Sequence, residues 1–380
     1  MKDTNILGNI FRVHFGEGGT VYFAPGRINL IGEHTDYNGG FVFPGAVDCG
    51  ISAIVRPNGT PMVNLYAADL ERVCRFAVTD AQGPVDTDFR YVYGVVRELS
   101  AAGIAVGGFD AVYSGDVPLG AGMSSSAALE CCFSTALYDI FGTAAAPLDR
   151  MALARIGQAT EHKYVGVKCG IMDQFASMHG RQGALMRLDC RSGEYEYFPW
   201  HPDGYRLVLV NSCVRHELVG SPYNERRASC ERVAAMAGVN TLRDCTWAML
   251  EALKPQLADV DYRRARYVLG EADRVMAVSD ALGRGSYEDV GRQMYLTHEG
   301  LSRDYEVSCA ELDFLVDEAR RLGVSGARMM GGGFGGCTIN LVADDLYDRF
   351  IAEVQHSYNE RFGVTCRPIP VVIGDGARRL

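Results

Sequence analysis

The stretch that decides the fold reads Pro118-Leu119-Gly120-Ala121-Gly122-Met123-Ser124-Ser125-Ser126-Ala127-Ala128. Two close glycines lead into a run of serines, and apolar residues then recur at helical spacing, which predicts a helix over 124–141. The unpaired N–H groups and the positive dipole at the start of such a helix favour a phosphate, and serine hydroxyls could add hydrogen bonds or a Mg²⁺ ligand. The alternative is a simple capped helix after a flexible turn, because serine is a common helix cap.

Familiar phosphate-binding motifs are excluded by inspection. The chain has four lysines, none of which follows a glycine, so a P-loop is ruled out. His-Arg-Asp and Asp-Phe-Gly, the protein-kinase signatures, do not occur. The glycine run over 331–336 matches the dinucleotide pattern, but it follows a helical stripe over 312–322 and leads into a strand-like run over 337–342. A Rossmann fold requires a helix after the glycines, so that interpretation is disfavoured.

A second stretch is unusually polar. Within ten residues it carries Arg27, Asn29, Glu33, His34 and Asp36. Apolar runs at 21–23 and 41–43 flank it, and an Asn-Gly pair precedes the second run, which predicts a hairpin with a constrained loop between its strands. Carboxylates, an imidazole and a guanidinium are groups that the hydroxyls of a hexose would satisfy. A solvated surface loop and, less readily, a metal site are the alternatives.

A single acid, Asp173, lies in an otherwise apolar run just after Gly170. An acid held in such surroundings could act as a general base, or it could simply cap a helix. A further helix is predicted over 151–162, ending at the glycines that follow it. His162 and His179 flank this region, and neither is given a role.

Composition limits the class of partner. Acidic residues outnumber basic ones by 47 to 37, for a formal net charge of −10, which argues against binding nucleic acid or an anionic membrane through bulk charge. The 12 cysteines contain no Cys-x-x-Cys pair, and no uncharged apolar run reaches the roughly 18 residues that would cross a membrane. We therefore expect a cytoplasmic protein, and its length predicts two domains with a boundary near residue 205.

Taken together, these stretches resemble the galactokinase branch of the GHMP small-molecule kinases, and the resemblance covers nearly the whole chain. The run from Pro25 to Tyr37 is similar to the galactokinase signature, residues 118–128 to the ATP loop of the superfamily, and residues 328–336 to its third motif. Residues 223–227 and 304–308 support the same branch. Two departures are small: Met123 stands where Leu is common, and Met330 where Thr is usual.

The resemblance implies a role for each site residue. Asp173 would take the proton from the anomeric hydroxyl of the sugar, and Arg27 would stabilise the phosphoryl group in transfer. Ser126 and Glu161 would hold Mg²⁺, the cofactor, whose hard oxygen ligands they would supply. The sugar would be held by Glu33, His34, Thr35, Asp36 and Tyr223. The ATP phosphates would be wrapped by Gly120, Ala121, Gly122, Met123, Ser124, Ser125 and Ser126.

The resemblance also implies an α+β fold of the GHMP kinase type. It would have two domains, 1–205 and 206–380, each a mixed or antiparallel sheet with helices, and the active site would lie in the cleft between them. The implied activity is ATP-dependent phosphorylation of the C1 hydroxyl of D-galactose by a monomer in the galactose pathway of the cytoplasm. A kinase for N-acetylgalactosamine or another hexose remains an alternative. So does a galactose and ATP sensor without catalysis, although such sensors lack the Ser-Ala pair found at 126–127.

Overall fold

The structure is a computed structural model that describes residues 4–118, 120–214 and 222–380. Its α-helices are α1 Thr4–Phe15, α2 Arg90–Ala101, α3 Ser125–Phe141, α4 Arg150–Thr160, α5 Met172–His179, α6 Pro222–Met236, α7 Trp247–Leu253, α8 Asp259–Gly283, α9 Tyr287–Arg303, α10 Ala310–Leu322 and α11 Tyr347–Phe362. Short 3₁₀ turns cover Asp36–Asn38, Thr87–Phe89, Leu242–Asp244 and Lys254–Gln256, and a π-helical turn covers Glu161–Val165.

The strands form three sheets. They are β1 Thr20–Asn29, β2 Phe41–Val42, β3 Pro44–Pro57, β4 Met62–Ala67, β5 Arg72–Ala77, β6 Phe109–Gly115, β7 Ala184–Asp189, β8 Tyr195–Pro199, β9 Tyr205–Asn211, β10 Gly326–Met330, β11 Cys337–Ala343, β12 Arg367–Pro370 and β13 Arg378–Arg379. The sheet orders are β13-β1-β3-β6-β4-β5, β10-β11-β9-β12 and β2-β7-β8, and among these described strands only the β4 and β6 pair is parallel. The fold is therefore the expected mixed α+β class.

Helix α3 is the central helix of the N-terminal half. It packs against β1 and β3 on one side and against α2, α4 and α5 on the other. Its inward face is apolar and fully buried at Ala128, Cys132 and Leu137, as the helical spacing predicted. Burial of this face anchors the helix, so the glycine loop that precedes α3 is held at a fixed place.

The predicted hairpin around the polar stretch is wrong in its pairing. Strand β1 continues through Arg27 to Asn29 and pairs with β3, whereas Phe41–Val42 pairs with β7. The expected turn is present as a 3₁₀ turn that ends at Gly39, whose φ of 68° is left-handed. The constrained loop is therefore shorter than predicted, and Arg27 lies on a strand instead of in a loop.

The domain division at 205/206 stays a prediction. Strand β9 begins at Tyr205, but the C-terminal β13 joins the six-stranded sheet of the N-terminal half. In the part of the chain that the structure describes, no helix combines the length and the apolar character needed to cross a membrane.

Candidate active site

A cavity of about 290 Å³ opens where the polar stretch, the glycine loop and the start of α5 meet. Nearly all of the residues singled out in the sequence line it. The lining consists of Arg27, Glu33, His34, Asp36, Val117, Pro118, Gly120, Ala121, Gly122, Met123, Ser124, Ser125, Ser126, Glu161, Val167, Cys169, Met172, Asp173, Tyr223, Gly331 and Gly332. The fold thus gathers three stretches that are far apart in the sequence around one cavity.

Thr35 is the predicted sugar-binding residue that is not among the lining residues of this cavity. Its side chain is fully buried, and its hydroxyl lies 2.8 Å from the carbonyl oxygen of Gly32 and 2.6 Å from that of Phe41. The hydroxyl therefore closes the loop on itself, which is a structural contact and not a ligand contact.

The centre of the cavity is an ion pair between Arg27 and Asp173. The Nε and Nη2 atoms of Arg27 donate to the two carboxylate oxygens at 2.8 and 3.0 Å. Burial alone would lower the pKa of Arg27, but the charges of Asp173, Glu33 and Asp36, together with the hydrogen bond to Asp173, raise it. Asp173 lies in the first turn of α5 and leaves 28% of its side chain exposed. It is therefore not the helix cap that the sequence allowed, but a fixed carboxylate open to the cavity.

Ser124 departs from the helix-cap role expected of it. Its backbone is left-handed, with φ of 56°, and its side chain makes no capping hydrogen bond. The hydroxyl donates instead to Asp173 Oδ2, and the carbonyl of Gly122 accepts a hydrogen bond from Arg27 Nη1. A non-glycine residue in this conformation is uncommon and marks a strained position that other contacts maintain.

Ser126 and Glu161 form the pair of oxygen donors predicted for a metal. The Ser126 hydroxyl donates to Glu161 Oε1 at 3.0 Å across the cavity wall. Burial, and then the charge of Asp173, raise the pKa of Glu161 to about 7. Among the described residues, no three His, Cys, Asp or Glu side chains cluster as a metal site. The donor set fits Mg²⁺ that takes its remaining ligands from phosphates and water.

Glu33 is held in place by the glycine run that follows β10. Its Oε1 accepts hydrogen bonds from Arg328 Nη1 at 3.1 Å, from Arg328 Nη2 at 3.2 Å and from the Gly331 N–H at 2.9 Å. The guanidinium of Arg328 is fully buried and also donates to the carbonyls of Asn29 and Leu30. One buried arginine thus fixes both the end of β1 and the carboxylate that enters the cavity.

Asp36 is a second carboxylate in the cavity. Burial, and then the charge of Asp173, raise its pKa to about 7. Gly170 passes so close that a Cβ built on it would overlap the Asp36 carboxylate. Tyr223 lines the same end of the cavity, with its ring centroid 5.4 Å from that of His34.

His34 is a buried, neutral imidazole at the cavity wall. Burial lowers its pKa to about 3. Its Nδ1 lies 2.8 Å from the hydroxyl of Tyr37, whereas within the described parts of the chain its Nε2 has no hydrogen-bond partner. The free nitrogen belongs to a side chain that lines the cavity, so it is available to a ligand.

Several functional contacts were not predicted from the sequence. Arg328 was considered only as part of the third motif. Its role could not be predicted, because the run Gly-Ala-Arg-Met-Met does not indicate that its charged side chain is buried. The departures Met123 and Met330 belong to one buried apolar cluster with Ala121. Met330 therefore packs as core.

Family models match three parts of the chain. The galactokinase galactose-binding signature matches residues 9–57, the GHMP kinases N-terminal domain residues 90–181, and the GHMP kinases C-terminal domain residues 278–359. These matches contain the polar stretch, the glycine loop with Asp173, and the third glycine run.

Individual relatives extend the similarity to the full length. The galactokinase of Exiguobacterium sibiricum is 39% identical, covering 98% of this chain and 97% of the relative. Human galactokinase is 40% identical, with 92% and 90% covered. The crystal structure of Lactococcus lactis galactokinase complexed with galactose superimposes with a TM-score of 0.94 at 34% identity, covering 99% of this chain and all of that one. A mevalonate kinase shares the fold alone, at a TM-score of 0.65 and 18% identity.

Proposed function

This chain belongs to the galactokinase family of the GHMP kinases, and we propose that the cavity around Asp173 transfers the γ-phosphoryl group of ATP to the C1 hydroxyl of galactose. The enzyme phosphorylates galactose, as its family membership requires. The observation that carries the assignment of the site is the Arg27 and Asp173 ion pair, set between the polar stretch and the glycine loop.

Asp173 is proposed as the group that accepts the proton. Arg27 and Ser124 hold both of its oxygens, so the carboxylate has a fixed direction, and its exposed edge faces the cavity. The sugar O1–H bond breaks toward Asp173 while O1 forms a bond to the γ-phosphorus and the β-phosphate leaves as ADP. A carboxylate paired with a guanidinium is a weak base, so the proton moves late, after charge has developed on O1.

Arg27 is proposed to stabilise the phosphoryl group in transfer. Its guanidinium is 5% exposed and remains charged, because Asp173 raises its pKa. Fixed charge in a site shielded from water stabilises a developing anion without reorganisation. The same residue therefore orients the base and offsets the charge on the transferred group.

Ser126 and Glu161 are proposed to hold Mg²⁺ with the ATP phosphates against the glycine loop. When bound, Mg²⁺ neutralises charge on the β and γ phosphates. The protein would contribute one hydroxyl and one carboxylate as ligands of the ion. The backbone of residues 120–126 supplies N–H groups at the start of α3, which suits a phosphate without any basic surface.

The sugar is proposed to lie against Glu33, His34, Asp36 and Tyr223. These side chains offer carboxylate acceptors, a ring nitrogen and a phenol around one end of the cavity, which suits a molecule with a hydroxyl on nearly every carbon. We propose that the enzyme works as a monomer in the cytoplasm.

Two other functions make different predictions. A kinase for N-acetylgalactosamine or another hexose would use the same motifs with a wider space beside the second carbon. A sensor would bind sugar and ATP without turnover, but Ser126 and Ala127, the pair such sensors lack, are present here at the first turn of α3.

A rate measurement with ATP, Mg²⁺ and a panel of hexoses distinguishes these functions. We expect ADP release with galactose to exceed that with N-acetylgalactosamine, glucose and mannose by at least a hundredfold. A preference for the acetamido sugar would support the second function. Binding of galactose and ATP in calorimetry without any ADP release would support the sensor and overturn the proposal.

A further inference from the structure

A chain of hydrogen bonds leads from the cavity into the protein interior behind His34. His34 Nδ1 lies 2.8 Å from the Tyr37 hydroxyl, that hydroxyl lies 2.7 Å from the Tyr305 hydroxyl, and the Tyr305 hydroxyl lies 3.2 Å from Cys230 Sγ. His34, Tyr305 and Cys230 are 4%, 0% and 1% exposed. This series of hydrogen bonds joins the polar stretch to α6 and to the segment after α9.

Counting the protons leaves only two arrangements of donors and acceptors for these hydrogen bonds. Each of the three links holds one proton, and each phenol supplies one. In the outward arrangement, His34 donates from Nδ1, Tyr37 donates to Tyr305, and Tyr305 donates to sulfur. In the inward arrangement, Cys230 donates to Tyr305, Tyr305 donates to Tyr37, and Tyr37 donates to His34 Nδ1. The direction at one end therefore determines the tautomer at the other.

The chemistry of the first link favours the inward arrangement. A phenol donating to imidazole nitrogen joins a good donor to a good acceptor, whereas a phenol oxygen is a poor acceptor for imidazole.

We propose that Tyr37 and Tyr305 are positioning residues that hold His34 as the neutral tautomer protonated on Nε2 and aim that N–H at the substrate. The inference rests on the proposed function, because it takes His34 as part of the sugar site. His34 then acts as a hydrogen-bond donor only, so it selects a ligand oxygen that accepts at this point. A site lined with acidic side chains thereby gains a neutral donor.

The first test compares Tyr37→Phe and Tyr305→Phe with Tyr93→Phe. Tyr93 is a matched control, because it is also buried and its hydroxyl makes one hydrogen bond, at 2.7 Å to the Asp80 carbonyl, away from the cavity. We expect the KM for galactose to rise about tenfold in Tyr37→Phe, the loss of one buried hydrogen bond, and about threefold in Tyr305→Phe. The kcat and the KM for ATP should change little, and Tyr93→Phe should match the wild type.

Cys230 supplies a graded variant at the far end of the chain. Cys230→Ser keeps a donor and should retain the wild-type KM for galactose, whereas Cys230→Ala removes the donor and should raise the KM. If both variants change the KM equally, packing and not the hydrogen-bond chain is responsible, and the role of Cys230 in the inward arrangement is overturned.

The second test does not depend on activity. Long-range ¹H–¹⁵N spectra of the full-length protein, with His34→Gln to assign the signal, report which ring nitrogen carries the proton. We expect Nε2 protonated in the wild type, and a changed Nδ1 shift in Tyr305→Phe although Tyr305 does not bond to the ring. A proton on Nδ1, or an unchanged shift, would overturn the proposal. If galactose were not a substrate at all, the proposed function would fail while this spectrum still tested the tautomer.

Discussion

At the scale of single residues, hydrogen bonds to Asp173 restrict the directions from which a substrate can approach its carboxylate. Arg27 and Ser124 occupy its oxygens from two sides, and the remaining approach is from the cavity. A carboxylate held this firmly loses little entropy when the sugar binds, which is how a weak base becomes useful in a phosphoryl transfer.

Asp173→Asn tests this role. The amide keeps the shape and can still accept from Arg27, but it cannot take a proton. We expect normal folding, near-normal binding of galactose and ATP in calorimetry, and a fall in kcat of roughly a thousandfold. Turnover near the wild-type rate in a coupled ADP assay would rule out Asp173 as the proton acceptor.

Asp36 gives a prediction for pH dependence. Its pKa rises from 3.8 unfolded to about 7 folded, through burial and then the charge of Asp173. The folded state therefore holds a proton that the unfolded state has released, so Asp36 increasingly destabilises the sugar-free protein as pH rises from about 4 to about 7.

Asp36→Asn should remove that penalty. Relative to the wild type, we expect its free energy of unfolding in urea to gain on the order of 2 kcal/mol between pH 5 and pH 8, while galactose binding is lost. An equal difference between the two proteins at both pH values would show that Asp36 does not titrate in this range.

At the scale of elements, the sequence pattern correctly predicted features that depend on interactions between neighbouring residues. Helix α3 ends at Phe141 as expected, because its apolar spacing and the glycine after it are local signals. The cap was wrong because the Ser124 hydroxyl binds Asp173, 49 residues away. The hairpin was wrong because β2 pairs with β7, a strand that is distant in the sequence.

The candidate site shows the same division. Asp173, Arg27 and the glycine loop were predictable, through their polarity and through resemblance to a family. The buried role of Arg328 was not, because nothing in its neighbours indicates that three backbone carbonyls and one carboxylate converge on it. Contacts that depend on tertiary packing were the part that sequence reasoning missed.

Gly170→Ala tests the fit between the segment before α5 and the polar stretch. The added methyl would overlap the Asp36 carboxylate, so one of the two must move. We expect the KM for galactose to rise by more than tenfold, since displacing a binding group by an ångström weakens every contact it makes. Gly283→Ala is the matched control at the end of α8, where an added Cβ meets nothing within 4 Å. Equal kinetics of the two variants would contradict the proposed place of Asp36.

At the scale of the whole molecule, the candidate active site lies where two of the sheets are joined. Arg328 on β10 joins the four-stranded sheet to the end of β1 in the six-stranded sheet, through Glu33 and two carbonyl groups. The residues proposed to bind substrate are thus held by contacts that also hold the fold together.

Arg328→Met tests this junction. Removing the guanidinium leaves the buried Glu33 carboxylate without its charged partner and three carbonyls without their donor, so we expect a loss of about 3–5 kcal/mol in the free energy of unfolding. Arg320→Met breaks an exposed pair with Glu299 and should lose less than about 1 kcal/mol. Similar losses of unfolding free energy in the two variants would show that Arg328 does not stabilise the fold in this way.

In the proposed function, this cavity phosphorylates galactose at C1 with Asp173 as the proton acceptor. ³¹P and ¹H NMR of the product formed by the purified chain from ATP, Mg²⁺ and galactose tests both points. We predict one phosphate monoester, coupled to the anomeric proton, and only a trace of it with Asp173→Asn. A phosphate on any other hydroxyl, or equal product from Asp173→Asn, would contradict the claim.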